Sequence, residues 1–268
     1  MKRFLLINFT IILFAIILPL SAAADSLNSQ WIQLSPTTPE SLNKFINKTG
    51  LFAKAKAPTA KKTILHSIEI DTNSHYSVYT MQPLAVYGKV TQYKTTEHIN
   101  EGSRFPGIPI GHMATVHGKG LSLGGIFWPK ENMVVYAPSG KLIYDNRIDV
   151  TAIKPVSGHL FPLQVGNILK FDFKRIHSRM IGGKTTVKNE TGVMTYKVTR
   201  KFNNFDFSSK KIPGPIYEIE VWESTNYQRK PYLTDIYEYS NGFHWYISDK
   251  YFTKRNKLIA WYRVKTWS

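Results

Sequence analysis

The chain has 268 residues, no cysteine, and a formal net charge of +17 from 35 Lys and Arg against 18 Asp and Glu. The missing cysteines exclude thiol nucleophiles, thiolate metal sites and disulfides together, and at this length burial alone can hold a fold without covalent staples. The charge predicts acidic partners, whatever the fold.

Lys2 and Arg3 precede an almost wholly apolar run from Phe4 to Leu20, followed by Ser21, Ala22, Ala23 and Ala24. A positive start, an apolar middle and small residues at the end read as a secretory signal peptide over residues 1–24, cut after Ala24. An uncleaved anchor is the alternative, and Pro19 with the three alanines speaks against it. An exported chain without cysteine fits a bacterial envelope, most simply the periplasm. Extracellular release or outer-membrane association remains open, and no cysteine follows the cut to carry a lipid.

Residues 25–62 hold a short helix and a basic linker. Thr38 is placed to cap the helix, Pro39 suits its first turn, Leu42, Phe45 and Ile46 share one face, and Gly50 ends it. Ala53 to Lys62 is rich in alanine and lysine and reads as a flexible strap. From Thr63 onward the dominant period is two, which predicts an all-β chain. Strands around Ile64–Ile70, Tyr76–Thr80 and Leu84–Val90 are separated by Asn73-Ser74 and Gln82-Pro83, and Ile99–Gly111 reads as a loop. Pro138-Ser139-Gly140 marks a hairpin turn, as do Gly182-Gly183 and Asn241-Gly242, with an interruption expected near Asn189.

The best boundary lies at Lys154–Gly158, giving an N-terminal β subdomain at 63–153 and a basic C-terminal one at 154–268. Residues 25–153 carry 13 basic and 9 acidic residues, whereas residues 154–268 carry 20 and 9. The expected architecture is two antiparallel subdomains, or one long meander curling into an incomplete barrel. Four of the six tryptophans lie after Val221, which points to a dense core there.

Leu160-Phe161-Pro162-Leu163-Gln164-Val165-Gly166-Asn167, followed by Phe171 and Phe173, resembles a module of uncharacterised exported bacterial β-rich proteins, and Gly140–Ile148 looks like its lead-in. The resemblance implies a β-rich envelope domain with no assigned activity. Pro162 and Gly166 also read physically as punctuation between strands.

Gly120-Leu121-Ser122-Leu123-Gly124 matches the nucleophile elbow of serine hydrolases, with Asp145, Asp149, His159 and His177 in a permissible order. The elbow needs a helix after the serine, and Gly125 to Pro129 starts one poorly, so a curved loop is the simpler reading. His112 and His117 fall on opposite faces of a strand, and no third ligand is spaced to join them, so neither a metal nor any other cofactor is expected.

From Lys170 to Arg179, alternation places Lys174 on one face and Phe171, Phe173, Arg175, His177 and Arg179 on the other. Lys174, Arg175, His177 and Arg179 are therefore the candidate binding residues for a phosphate or carboxylate. A sheet edge guarded by charge is the competing account. The expected function is a non-enzymatic envelope protein that binds or scaffolds an anionic glycolipid, lipid or acidic protein surface, with peripheral membrane contact open and no nucleic acid expected. A hydrolase acting through Ser122 and a small outer-membrane barrel are the alternatives.

Overall fold

A computed structural model describes residues 30–58, 64–70, 75–99, 113–203 and 212–267. The expected signal peptide at 1–24 and most of the loop expected at 99–111 lie outside them. The chain folds as β1 (Ile32–Gln33), α1 (Pro39–Thr49), β2 (Ile64–Ile70), β3 (His75–Tyr87), β4 (Val90–Ile99), β5 (Ala114–Leu123), β6 (Phe127–Tyr136), β7 (Leu142–Gly158), β8 (Ile168–Ile181), β9 (Lys184–Phe202), β10 (Ile216–Thr225), β11 (Gln228–Ser240), β12 (Trp245–Phe252) and β13 (Leu258–Trp267).

All the strands belong to one thirteen-stranded antiparallel sheet. From β2 to β13 each strand pairs with the next, and β13 returns to pair with β2, with Tyr262 opposite Ile68. The expected all-β meander is present, and the strands hydrogen-bond around the full ring. Closure leaves no sheet-long open edge. The expected boundary at 153/154 falls inside β7, which pairs with β6 from Leu142 to Asp149 and with β8 from Tyr144 to Gly158. β1 takes the edge of β7 beyond β6, pairing Ile32 with Ile153.

Local chemistry explains most boundaries. Thr38 accepts a hydrogen bond from the Ser41 amide, Ser41 reciprocates on the Thr38 amide, and Gly50 closes α1 at φ 71°. Gln82-Pro83 does not end a strand as expected; β3 runs through it, with a register shift between Pro83 and Ala85 that absorbs the missing donor. No interruption occurs at Asn189, because β8 pairs with β9 along its length. The strap is packed at its start, with Ala55 fully buried; residues 59–63 lie outside the described chain. In the turn at 161–167, the Asn167 side-chain Nδ2 donates to the Leu160 and Pro162 carbonyls, and Gly166 adopts φ 93°.

Alternation sorts the side chains into an apolar half-lumen and a polar one. Phe171, Phe173, Tyr196, Val198, Ile219 and Val221 turn into the main core, joined by Trp245, Phe127 and Tyr239. Each such side chain contributes on the order of 1.5–3 kcal/mol by burial. The core gathers toward the end of the ring that holds the turns at 88–89, 124–126, 159–167 and 241–244. Leu42, Phe45 and Ile46 of α1 belong to the same cluster. Lys130, whose register neighbours Leu121 and Asp149 face away from the lumen, donates to the Thr37 carbonyl, so the start of α1 lies on the outer wall.

The opposite end holds the turns at 137–141, 182–183, 226–227 and 253–257, and its lumen is polar. The outer wall carries Lys94, His98, Lys119, Asn132, Arg147, Lys170, Asp172 and Lys197 at alternating positions. A lipid-spanning barrel requires an apolar outer band, so this inside-out distribution argues against the outer-membrane alternative. Among the described residues, no helix is long and apolar enough to cross a membrane.

Candidate functional site

Down the lumen face of β8, chemistry changes from Phe171 and Phe173 in the core to Arg175, His177 and Arg179 toward the polar mouth. Hairpin register sets their neighbours: Arg175 faces Glu190, His177 faces Lys188 and Arg179 faces Thr186. Glycine makes room beneath them, since a Cβ at Gly192 would collide with the Ser224 carbonyl and lie 2.8 Å from the Phe173 ring.

Arg175 is clamped. Its Nε lies 2.6 Å from Glu190 Oε2, and its two terminal nitrogens lie 2.8 Å from the Glu223 oxygens. The side chains are 15%, 10% and 7% exposed respectively, so the trio is shielded from water. Tyr232 donates to Glu223 Oε1 at 3.3 Å, and burial followed by the Glu223 charge pushes its phenol above the usual range. The facing His177 ring and then the Arg175 guanidinium hold the Glu190 carboxyl down to about 2, against burial, which alone would raise it. His177 Nδ1 sits 3.9 Å from Glu190 Oε1, beyond hydrogen-bond reach, so Arg175 is the closer anchor. His177 Nε2 donates to Asn146 Oδ1 at 2.7 Å.

Above this clamp opens a cavity of ≈ 500 Å³ between β8, β9, β10, Tyr232 and the β12–β13 turn. Three cations ring it against aromatic faces: Arg179 lies 6.0 Å from the Tyr144 ring centre, Lys188 lies 5.2 Å from Tyr227, and Lys254 lies 5.9 Å from Tyr232. Arg175, Arg179, Lys188 and Lys254 stand against Glu190 and Glu223 in its lining, and both carboxylates are already bound to Arg175. The accessible rim is therefore cationic.

Farther across the lumen lies an acidic group. Asp235 and Tyr237 of β11 face Tyr251 and Asp249 of β12. Burial, with the Glu223 and Glu131 charges adding to it, pushes the Asp235 carboxyl up to about 7. Burial and then Asp235 push Asp249 in the same direction, and burial raises Glu131 although the His177 charge opposes it. Asp249 is 1% exposed and its Oδ1 has no hydrogen-bond partner among the described residues. These acids take up protons more readily than free carboxylates.

The structure thus divides the predicted strip. Arg175, His177 and Arg179 share the lumen, whereas Lys174 stands on the outer wall with its ammonium 4.4 Å from the Trp31 ring centre. Arg175 is corrected from a surface contact to a buried, neutralised one. Glu190, Glu223, Tyr232, Lys188 and Lys254 were not among the predicted site residues. Glu190 was legible, because Arg175 and Glu190 are equidistant from the Gly182-Gly183 turn; Glu223, Tyr232 and Lys254 arrive through ring topology.

The curved loop expected at 120–124 is instead mostly strand. Ser122 lies within β5 opposite Thr91, fully buried, and β5 continues into a tight turn and then β6, with no helix. Its Oγ has no hydrogen-bond partner among the described residues. Asp145 is engaged with Arg147 at 2.6 Å. His117 lies on the outer face beside Tyr136, at 6.0 Å between ring centres, and His112 lies outside the described chain. Among the described residues no group of three or more His, Asp or Glu is placed to hold a metal.

No protein-family model matches this chain, and no curated protein sequence does. Among solved structures, a hypothetical lipoprotein, YmcC from Escherichia coli (K12), aligns over 85% of this chain and 97% of its own, with 6% identity and a TM-score of 0.37. So loose a likeness assigns neither fold nor function.

Proposed function

We propose that this chain is an exported, non-enzymatic binding protein of the cell envelope that holds an anionic ligand at the polar mouth of its barrel. The ligand class is a phosphate- or carboxylate-bearing glycan or glycolipid headgroup. One observation carries this reading: the ≈ 500 Å³ cavity is ringed by Arg179, Lys188 and Lys254, while its carboxylates are already consumed by Arg175. The Tyr232 ring in the lining suits a sugar ring, and the guanidinium and ammonium groups suit its acidic substituents. The order Lys2-Arg3, apolar run, Ser-Ala-Ala-Ala supports export.

Calorimetric titration with polygalacturonate oligomers and with neutral dextrans of equal length tests the ligand class. The acidic oligomer binds, weakens as salt rises, and loses at least about tenfold in affinity, equivalent to about 1.4 kcal/mol, when Arg179, Lys188 and Lys254 are all changed to Gln. Equal binding of acidic and neutral oligomers, or unchanged affinity in the triple variant, refutes it. Export is tested separately by the mass of the mature protein: a chain beginning at Asp25 in the envelope fraction supports it, and a cytosolic chain retaining Met1 refutes it.

A further inference from the structure

Closure protects nearly every strand, but β9 is longer than its neighbour. It pairs with β10 from Gly192 onward, with Gly192 opposite Thr225, while Lys184 to Thr191 pair with β8 alone among the described residues. The free side is identifiable from Thr191. Its amide donates to Asn226 Oδ1 at 3.1 Å, and its carbonyl accepts from the Asn226 amide at 2.8 Å, so Thr191 directs its backbone groups away from β8. By alternation Thr185, Val187 and Asn189 do the same, and there nothing among the described residues meets them. This stretch is exposed from Lys184 to Asn189, contains no proline, and carries Val187 at 61% exposure.

We infer that this edge pairs with the same edge of a second copy, antiparallel and centred on Val187. Charge selects that register. It sets Val187 against Val187, Thr185 against Asn189, Thr186 against Lys188, and Lys184 against Glu190, so no two lysines face each other. Sliding by two residues puts Lys184 opposite Lys188 in one direction and Lys188 opposite Lys188 in the other, and like charges directly opposite destabilise a pair. Lys184 and Lys188 thus act as guards against the two adjacent registers. The two-fold arrangement is isologous and closes on itself, giving a dimer rather than a fibre. It holds whatever the mouth binds.

The native chain has no cysteine, which makes a cross-linking test clean. Directly opposed hydrogen-bonded residues have Cα atoms about 5.5 Å apart, within the about 4.4–6.8 Å a disulfide spans. Oxidised Val187→Cys is expected to run as a covalent dimer, while Thr185→Cys, facing Asn189, stays monomeric, and the Thr185→Cys/Asn189→Cys double variant cross-links. In sedimentation the unmodified protein approaches doubled mass as concentration rises. Val187→Pro, which removes only a donor facing away from β8, remains at monomer mass with an unchanged circular dichroism spectrum. Monomer mass for the unmodified protein at all concentrations, or equal cross-linking of the Val187→Cys and Thr185→Cys single variants, overturns the inference.

Discussion

Replacing Arg175 with Gln removes the cation that separates Glu190 and Glu223 in a shielded site. At an effective dielectric of 20, opposite charges 4 Å apart attract by about 4 kcal/mol. Removing one partner of a buried pair costs about 3–5 kcal/mol. Here two carboxylates lose one guanidinium, so the expected loss is near the upper end, about 5 kcal/mol. With a urea dependence of about 3 kcal/mol per molar for a chain of this size, the unfolding midpoint at pH 7 falls by roughly 1.7 M. The sign with pH is fixed by Glu190. Its folded pKa is depressed to about 2, so its stabilisation is present above its unfolded value and is lost as pH falls toward 2. The gap between native protein and variant should therefore narrow on acidification below about pH 4.5. Arg175→Met with Glu190→Gln and Glu223→Gln should recover most of the loss, because no uncompensated charge remains. A loss under about 1 kcal/mol for Arg175→Gln, or a triple variant as unstable as the single one, would refute the clamp.

The raised carboxylates give the opposite slope. Asp235 keeps its proton up to about pH 7 when folded, so its contribution is fully present below its unfolded pKa and fades as pH rises toward 7, by at most about 1.4 kcal/mol per pH unit. Asp235→Asn should flatten that part of the profile and raise the unfolding midpoint at pH 8; an unchanged slope in chemical denaturation would count against the buried acid. Gly192→Ala forces a methyl into the Ser224 carbonyl and the Phe173 ring, so thermal unfolding should show a loss of about 1–3 kcal/mol from overpacking, and a neutral result would contradict the packing described. Ser122→Ala should leave ligand affinity unchanged in the titration above, and a serine-directed fluorophosphonate should not label folded protein; labelling at Ser122 would revive the hydrolase alternative.

Local chemistry was legible wherever one segment decides it. Thr38, Pro39 and Gly50 bound the helix, and Pro138-Ser139-Gly140, Gly182-Gly183 and Asn241-Gly242 all sit at hairpin turns. Alternation also separated Lys174 from Arg175, His177 and Arg179. Closure was not legible, because β2 and β13 meet across almost the whole chain and both carry the same period as every other strand. A change of charge near residue 154 looked like a boundary, although β7 passes through it. The fate of Arg175 depended on Glu223, which no spacing in the sequence connects to it. Gln82-Pro83 misled for a local reason, since a bulge accommodates the proline without ending the strand.

Hydrogen exchange with and without saturating polygalacturonate is the most direct test of where the barrel binds. Slowed exchange at Arg179 to Glu190 and Thr225 to Tyr232, with the turns at 124–126 and 159–167 unaffected, is the predicted result. Protection confined to the outer wall around Lys154, Lys170 and Lys174, or to the apolar end, would contradict a ligand held at the mouth.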